Sequence, residues 1–394
     1  MISWALVTAA LASAPQTLTA GAMGGPPTLD APAPIIEGEA ATAEEYPMTG
    51  GLLVEVELDM FGFVLDDLLL MCSSTLIAPD TVLLAAHCLD LDYYAEAVES
   101  FGGSLEVVDV GWAPDSDLSM HAMDGVPTEW PATAHVASDY IVHQDFDILS
   151  MGLGLSLNYD IGLMFLEEPV LDVPHAYLIT PDEVDQIQEG IEVAIVGWGQ
   201  QTPDQQPPPG TVGFKMQAMS HIEDLADYEF QVGLKGSRKC HGDSGGPSFM
   251  WVEADTPELM RQIGVTSHAV DMDDCAKGGV DTRVDYFFDW IEAEMVSRCE
   301  AGTRSWCDEY GIVLPPTGDE NEDTGGGDTG ANGTGDGGGG DGGGDSADTG
   351  ITSVDSGVDV SGGCGCTSGA TGLATGLGPA ILVLGAAARR RRES

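Results

Sequence analysis

An all-β fold, a sandwich or a barrel, is predicted for the middle of this chain. Between residues 50 and 270 the apolar residues fall in short runs of five to ten, rich in Val, Ile and Leu, and Gly, Pro, Asp or Ser bounds each run. Many short strands with frequent turns and almost no helical periodicity are typical of these folds. In chain order the runs are GGLLVEVEL, STLIAP, TVLLAAHC, SLEVVDVGW, AHVASDYIVH, DIGLMFL, IEVAIVGWG and RQIGVTSHAV.

One helix is predicted after the last of these strands. The segment VDYFFDWIEAEMVSRC, residues 284–299, differs from the preceding runs in its periodicity. Its large apolar residues recur near helical spacing, which predicts an amphipathic helix packed on the outside of the β domain. These residues are Phe287, Trp290, Ile291 and Met295.

Composition separates a folded domain, residues 35–312, from a tail. After about Leu314 the sequence consists mainly of Gly, Asp and Thr, as in TGGGDTGANGTGDGGGGDGGGDSADTG. So few apolar groups cannot offset the entropy lost when a chain becomes ordered. We expect residues 313–362 to form a disordered acidic linker.

The chain is strongly acidic, with 65 Asp and Glu against 13 Lys and Arg, a formal net charge of −52. Such a charge excludes binding to phosphate backbones, so no nucleic-acid partner is expected. Because like charges repel over long distances at low ionic strength, we expect salt or divalent cations to raise the melting temperature.

Both ends of the chain carry targeting signals. Residues 1–22 contain the apolar run ISWALVTAALASA, which ends in small residues and resembles a secretory signal peptide, although no Lys or Arg precedes it. Residues 23–34 then form a propeptide-like segment. Export from the cell is therefore predicted.

The last segment, residues 363–394, contains about 22 uncharged residues followed by RRRR, enough to span a membrane with a cytoplasmic end. A disordered Gly/Ala tail is the alternative. With GGCGC ahead of it, the segment resembles the C-terminal sorting signals on surface proteins of myxobacteria and their relatives. The resemblance implies processing by a sorting protease, lipid attachment at Cys364 or Cys366, and display at the cell surface.

The cysteine content agrees with export. Six cysteines remain in the folded region, and an even number in an exported chain predicts three disulfides, for which sequence alone allows 15 connectivities. Zinc binding is the alternative, but no pair has the spacing C-x2-C. The many acids form either a calcium loop or, as we favour, a solvated face, so no metal site is predicted. The six are Cys72, Cys88, Cys240, Cys275, Cys299 and Cys307.

The segment KCHGDSGGPS, residues 239–248, is either a structural turn or the site of a nucleophile. A serine hydroxyl reacts at neutral pH only with a base within hydrogen-bond reach. Gly242 places no side chain against a substrate, so the amides of Gly242 and Ser244 can converge on a developing oxyanion. The two glycines after Ser244 permit a sharp turn.

Candidates for the base and for its orienting acid lie elsewhere in the sequence. His87 ends an apolar strand in TVLLAAHC, a place where a lone histidine is otherwise a core residue. Asp160 leads directly into the strand of NYDIGLMFLEEPV, and a buried carboxylate needs a partner because unpaired desolvation costs several kcal/mol. Protonated imidazole is a suitable partner.

Five motifs in register carry a resemblance to a known family. They are LIAPDTVLLAAHC, DIGLMFL, GWG at 197–199, CHGDSGGP and GGVDTRVDYFFDWI, in this order. Together they resemble the chymotrypsin/trypsin family of serine proteases over nearly all of residues 35–298. The resemblance implies two antiparallel six-stranded Greek-key barrels, an active site in the cleft between them, and a C-terminal helix.

The same resemblance implies roles for individual residues. His87 would act as general base and then acid, Asp160 would fix its tautomer, and Ser244 would be the acylated nucleophile. The amides of Gly242 and Ser244 would form the oxyanion hole. The implied bridges are Cys72–Cys88 and Cys240–Cys275, with Cys299–Cys307 closing an additional local loop.

Activation by cleavage is also implied. In this family the acid before the serine is buried and pairs with a new amino terminus, and the matching residues are Asp243 and Ile35. Pro34 precedes Ile35, however, and trypsin-like enzymes do not cut after proline. We therefore expect either that a different protease activates the chain or that the true amino terminus differs from Ile35.

Substrate preference is less determined. Arg238, six residues before the serine, matches the floor of the family's primary pocket and favours an acidic side chain in the substrate. Asp281 in another wall can neutralise Arg238, which leaves a small apolar or a basic preference open. Gly279 keeps one wall open, while Ser267 and His268 border the pocket. We interpret His268 as a replacement for the family's usual tryptophan rather than as a catalytic group.

The predicted function is that of a serine endopeptidase, which acts on proteins or peptides through an acyl-enzyme and needs no cofactor. The alternative is a non-catalytic homologue that serves as a surface binding module.

Ser73 and Ser74 stand where the family usually has two glycines.

Overall fold

The structure is a computed structural model and describes residues 34–122, 128–152, 154–202, 211–234, 236–252, 259–271 and 275–315. The predicted signal peptide and the sorting segment with Cys364 and Cys366 lie outside these ranges, as do nearly all of the propeptide-like segment and the linker. Within the described ranges, none of the helices is both long and apolar enough to cross a membrane.

Thirteen strands and two regular helices make up the regular structure of the described residues. The strands are β1 (Glu39–Ala40), β2 (Thr49–Met60), β3 (Phe63–Ala78), β4 (Thr81–Leu84), β5 (Gly103–Ala113), β6 (His135–Val142), β7 (Gly162–Leu166), β8 (Glu192–Gly197), β9 (Met216–Leu225), β10 (Glu229–Val232), β11 (Pro247–Trp251), β12 (Met260–Ala269) and β13 (Gly279–Arg283). The helices are α1 (Leu91–Ser100) and α2 (Phe288–Ala301). Short 3-10 turns span Ala86–Cys88, Ser119–His121, Ile148–Ser150, Val184–Gln186 and Cys275–Lys277.

Two six-stranded antiparallel barrels are formed, as predicted. The first closes in the order β2-β3-β4-β7-β6-β5. The second follows the same order, β8-β9-β10-β13-β12-β11, and closes because β8 pairs with both β9 and β11. Strand β1 adds to β9 outside this ring. In each barrel the third strand therefore pairs with the sixth, and the first strand pairs with the fourth.

The alternation of apolar and acidic residues explains how β2 folds. Leu52, Val54, Val56 and Leu58 are buried, whereas the glutamates between the last three of them face outward or are half-buried. A strand alternates its side chains between two faces, so this pattern turns one face into the barrel. One continuous apolar core then runs through residues of both barrels.

The predicted C-terminal helix is present as α2, which begins four residues later than the predicted segment. Ile291 and Met295 are buried, and Gly302 ends the helix in the left-handed region at φ 69°. Helix α1 was not predicted. Among its ten residues only Leu91 and Val98 are buried, so its apolar periodicity is too weak to indicate a helix.

Three disulfides join Cys72 to Cys88, Cys240 to Cys275 and Cys299 to Cys307, which confirms the predicted set. The last one closes a loop after α2 that reaches back to the first barrel. There Arg304 Nη2 lies 2.6 Å from Asp80 Oδ1, and both side chains are fully buried. The chain after the helix is therefore attached to the first barrel rather than extending freely from it.

Candidate active site

His87 and Asp160 meet where the two barrels face each other. His87 lies in the turn Ala86–Cys88 after β4, and Asp160 lies just before β7, the neighbour of β4 in the sheet. His87 Nδ1 is 2.7 Å from Asp160 Oδ2, and the backbone amide of His87 donates to Asp160 Oδ1 at 2.8 Å. Two contacts to one carboxylate hold both the ring and its backbone in place.

Asp160 is fully buried, yet it is stabilised as a carboxylate. Burial raises its pKa, but the charge of His87 and hydrogen bonds from His87 and Ser267 more than offset burial, so the pKa of Asp160 lies below its ordinary value. Ser267 Oγ donates to Oδ2, and Thr282 Oγ1 donates to the backbone oxygen of Asp160 at 3.0 Å. These two residues bring the second barrel to the pair.

The loop of Ser244 lies against the chain that leads into His87. The amide of Ser73 donates to Ser244 O at 2.8 Å, and the amide of Gly245 donates to Thr266 O at 2.7 Å. Gly245 has φ +78°, and a Cβ there would lie 3.1 Å from Leu84 Cβ and 3.3 Å from Ala85 N. The structure thus brings the Ser244 loop within van der Waals distance of the residues before His87.

Within the described residues, Ser244 Oγ has no hydrogen bond to His87. Instead His87 Nε2 lies 3.6 Å from Cys88 Sγ. Hydrogen bonds of catalytic groups are often long without substrate and shorten in the substrate complex. Tyr94 of α1 donates its hydroxyl to His87 O at 3.1 Å, so the helix that the sequence did not predict also supports this turn.

Gly242 lies where no side chain fits. Its φ is +95°, and a Cβ would lie 2.8 Å from Gly199 Cα. Ser73 Oγ donates to Gly242 O at 2.9 Å and accepts from Trp198 N at 2.9 Å. Ser73 stands where the family usually has glycine, a departure whose role the sequence did not indicate, and its hydroxyl connects the first barrel to the loop before Ser244.

Asp243 is buried beneath the same loop. Its Oδ1 accepts from Gly199 N at 2.9 Å and its Oδ2 from Cys240 N at 2.8 Å. Burial raises the pKa of Asp243 to about 6, although these two amides and Lys239 act in the opposite direction. Ile35 is also buried, with 1% of its surface exposed.

The segment after Ile35 runs beside the residues that precede Ser244. Ile36 forms a bridge to Arg238, whose amide donates to Ile36 O at 3.0 Å, and Ile36 packs against Cys240 and Cys275. Arg238 Nη2 lies 3.8 Å from Glu37 Oε1. The predicted pocket-floor residue is therefore paired with the segment that contains the predicted new amino terminus.

Asp281 does not neutralise Arg238, because its partner is Lys239. Lys239 Nζ lies 2.9 Å and 2.7 Å from the two carboxylate oxygens of Asp281 and 2.9 Å from Ser248 Oγ. Gly279 lies beside this pair, where a Cβ would be 3.5 Å from Lys239 Cβ. The sequence indicated the charges but not which of the two cations Asp281 would bind.

His268 lies at the other side of Asp160, behind Ser267. Its Nδ1 is 3.0 Å from Ser267 Oγ. Burial lowers the pKa of His268, the charge of Asp160 raises it, and His87 lowers it further, with a net lowering. His268 is thus a largely neutral ring that can donate to Ser267, which in turn donates to Asp160.

Among the described residues, two groups of cysteine and histidine side chains have the proximity of metal ligands, and one of them contains His87. Four cysteines provide the sulfur atoms of these groups, and all four are in disulfides: Cys72, Cys88, Cys240 and Cys275. A disulfide sulfur has no thiolate to offer a metal ion.

Comparison with known proteins identifies the same family that the sequence motifs resemble. The trypsin family model matches residues 35–291. Tryptase of Mus musculus is 25% identical over 240 residues, which are 56% of this chain and 77% of tryptase. Serine proteinase stubble of Drosophila melanogaster is 24% identical over 68% of this chain and 32% of its own length. Venom serine protease 34 of Apis mellifera is 25% identical over 67% of this chain and 59% of its own length.

This chain therefore spans less than two thirds of the last two relatives. The family model, in contrast, covers more than half of the chain, from the buried Ile35 into helix α2. Two closed six-stranded barrels with a C-terminal helix are the architecture that this match requires. This chain belongs to the trypsin family of serine endopeptidases.

Proposed function

We propose that this chain hydrolyses peptide bonds of proteins or peptides, with Ser244 as the nucleophile, His87 as the base and Asp160 as the group that orients it. The observation that supports the proposal most strongly is the two-point attachment of His87 to Asp160 next to the loop of Ser244. Because Nδ1–H donates to Asp160, Nε2 is the ring nitrogen that can accept a proton.

The proton follows one path through the reaction. Nε2 of His87 removes the hydroxyl proton as Ser244 Oγ attacks the carbonyl carbon, and the resulting imidazolium is stabilised by Asp160. The amides of Gly242 and Ser244 stabilise the oxyanion. His87 then protonates the leaving amine. Water hydrolyses the acyl-enzyme by the same steps in reverse order, which restores the hydroxyl of Ser244.

Activation is proposed to depend on a free amine at Ile35. Asp243 is a buried carboxylate with a pKa raised to about 6, so a cation beside it would lower the cost of its charge. The chain at Ile36, the residue after Ile35, already lies against the segment of Arg238 and Cys240. Cleavage after Pro34 by a separate protease would supply the ammonium group. N-terminal sequencing of active enzyme tests this step, and full activity from a chain that begins elsewhere contradicts it.

We further propose that the enzyme is exported and held at the bacterial surface. This proposal is supported by the signal-like residues 1–22 and by the apolar, Arg-terminated residues 363–394. Sequencing of the mature C-terminus tests it, since a chain that ends near Cys364 or Cys366 and carries lipid agrees with processing and anchoring. An intact, soluble C-terminus contradicts it.

A fluorophosphonate probe, which reacts with activated serines, separates the enzyme from a non-catalytic binding module. We expect the processed protein to be labelled and Ser244→Ala to be unlabelled. Ser138→Ala is the matched control, because that hydroxyl donates to Phe165 O within the first barrel and has no contact with His87 or Asp160 among the described residues. Absence of labelling in correctly processed parent protein would favour the binding module.

A further inference from the structure

The side chain of Lys239 is buried between Gly279 and Asp281. Lys239 lies five residues before Ser244, in the segment that the Cys240–Cys275 disulfide ties to the approach to β13. Its stem runs along Gly279, since a Cβ there would lie 3.5 Å from Lys239 Cβ and 4.0 Å from Lys239 Cδ. The same Cβ would lie 3.6 Å from His268 O, on the strand that carries Ser267. The stem of Lys239 thus borders the position that a side chain at Gly279 would take and extends from there to Asp281.

The end of this side chain is fully neutralised. An ammonium group has three donors, and Lys239 directs them at the two oxygens of Asp281 and at Ser248 Oγ. Asp281 is completely buried and Lys239 is 2% exposed. Neither charge is available to a substrate, because a substrate carboxylate or ammonium would have to displace one partner of a buried pair and leave the other uncompensated.

The other cation in this segment points elsewhere. The amide of Arg238 is bound to Ile36, and its guanidinium lies nearest to Glu37 rather than to Asp281. Arg238 therefore stabilises the entry of the chain at Ile36. An acidic preference based on Arg238 is not supported by these contacts.

We infer that the Lys239–Asp281 pair closes the floor of the primary specificity pocket and restricts it to a small, uncharged residue before the cut, such as Ala, Ser or Val. This inference rests on the proposed function, because it assumes that Ser244 attacks the bond next to that pocket. Lys239 acts by filling the pocket with its stem, and Asp281 acts by holding the stem across it. Charge and size together exclude basic, acidic and aromatic side chains.

A peptide library digested with processed enzyme tests the inference directly. We expect cuts after Ala, Ser or Val to exceed those after Lys, Arg, Asp, Glu or Phe by roughly tenfold or more in kcat/KM. A majority of cuts after any charged or aromatic residue overturns it.

Two variants separate the effects of charge and volume. Lys239→Ala removes the stem and exposes Asp281 to the pocket, so cleavage after Lys or Arg should rise by about tenfold or more relative to cleavage after Ala. The double variant Lys239→Met with Asp281→Leu keeps an uncharged, filled floor, and buried pairs replaced by apolar residues of similar size usually leave a stable protein. It should retain the preference for small residues even where Lys239→Ala fails to fold. A gain of charged or aromatic residues in the double variant contradicts the inference.

Arg261→Met is the matched control, because Arg261 forms a largely buried ion pair with Glu183 in the same barrel. It should leave the preference unchanged to within about twofold. Fluorophosphonate labelling, measured on each sample, distinguishes the two failures. Processed parent protein that is not labelled refutes the proposed function, whereas labelled protein that cuts after charged or aromatic residues refutes only the closed pocket.

Discussion

The buried ion pair between Arg304 and Asp80 gives the sharpest stability prediction. Arg304 lies after helix α2, beyond the residues that match the family, and yet its Nε and Nη2 contact Asp80 at 2.6–3.2 Å with both side chains fully buried. Its Nη1 donates to Tyr310 O at 2.8 Å. Replacement by Met removes all of these contacts but keeps an unbranched side chain in the same place, so the change tests charge pairing more than volume.

The expected loss of stability follows from the contacts that Asp80 would keep. Asp80 would keep Thr81 Oγ1 and Trp306 N as donors but would lose its cation in a site without solvent. Removal of one partner of a buried pair costs about 3–5 kcal/mol. With a shift of roughly 2–4 °C per kcal/mol for domains of this size, the melting temperature of Arg304→Met should fall by about 6–20 °C.

Thermal unfolding and urea unfolding, both followed by fluorescence, are the assays, in a Ser244→Ala background that prevents self-digestion. Lys277→Met is the control, because Lys277 pairs with Asp271 at the surface and exposed pairs contribute about 0–1 kcal/mol. Adding Asp80→Asn to Arg304→Met should recover part of the loss, since no lone charge is then buried. If Arg304→Met costs no more than Lys277→Met, the chain after α2 is not part of the cooperatively folded domain and the reasoning fails.

Three further predictions concern the site and the charge of the chain. Ser73→Gly should lower kcat by about tenfold with little change in KM, because two hydrogen bonds of about 1 kcal/mol each then no longer hold the Gly242 loop. Ser74→Gly is the control, since the Ser74 hydroxyl donates to Gly50 O within the first barrel, and it should leave kcat within about twofold. Equal effects of the two changes refute the role of Ser73. Burial raises the pKa of Glu229 to about 7 from 4.5, so the folded state holds a proton that the unfolded state releases, and stability falls as pH rises between these two values. Glu229→Gln should therefore raise the unfolding midpoint at pH 8 but not at pH 4. A difference between variant and parent that is the same at both pH values would contradict the raised pKa. The melting temperature should be higher in molar salt than at low ionic strength because of the net charge of −52, and equal values would show that self-repulsion is negligible.

Much of the fold could be read from local patterns. Short apolar runs bounded by turn residues indicated the strands, because a half-buried strand must alternate its side chains between core and solvent. The spacing of Phe287, Ile291 and Met295 indicated helix α2 for the corresponding reason at helical period. Helix α1 was missed because only Leu91 and Val98 of its ten residues are buried, which leaves too little pattern to detect.

The residue types of the candidate site were also visible in the sequence. His87, Asp160 and Ser244 each stand in a motif with its own local signature, and the structure places His87 against Asp160 and the loop of Ser244 against the chain before His87. Their roles in catalysis stay predictions for the labelling experiment. The identity of these groups follows from the chain, since the chemistry of a side chain does not depend on the fold.

The choice of partners was decided only by the tertiary structure. Asp281 binds Lys239, 42 residues away in the sequence, and not Arg238, which is the residue next to Lys239. Arg304 pairs with Asp80, which is 224 residues away in the sequence. Arg238 forms an isolated bridge to Ile36, and neighbouring residues of extended backbone point to opposite sides, so a shift of one position decides which cation meets Asp281. Sequence alone therefore established which chemical groups the protein has and in which order, whereas the closure of two barrels determined which of those groups meet, because a hydrogen bond depends on distances that no local pattern specifies.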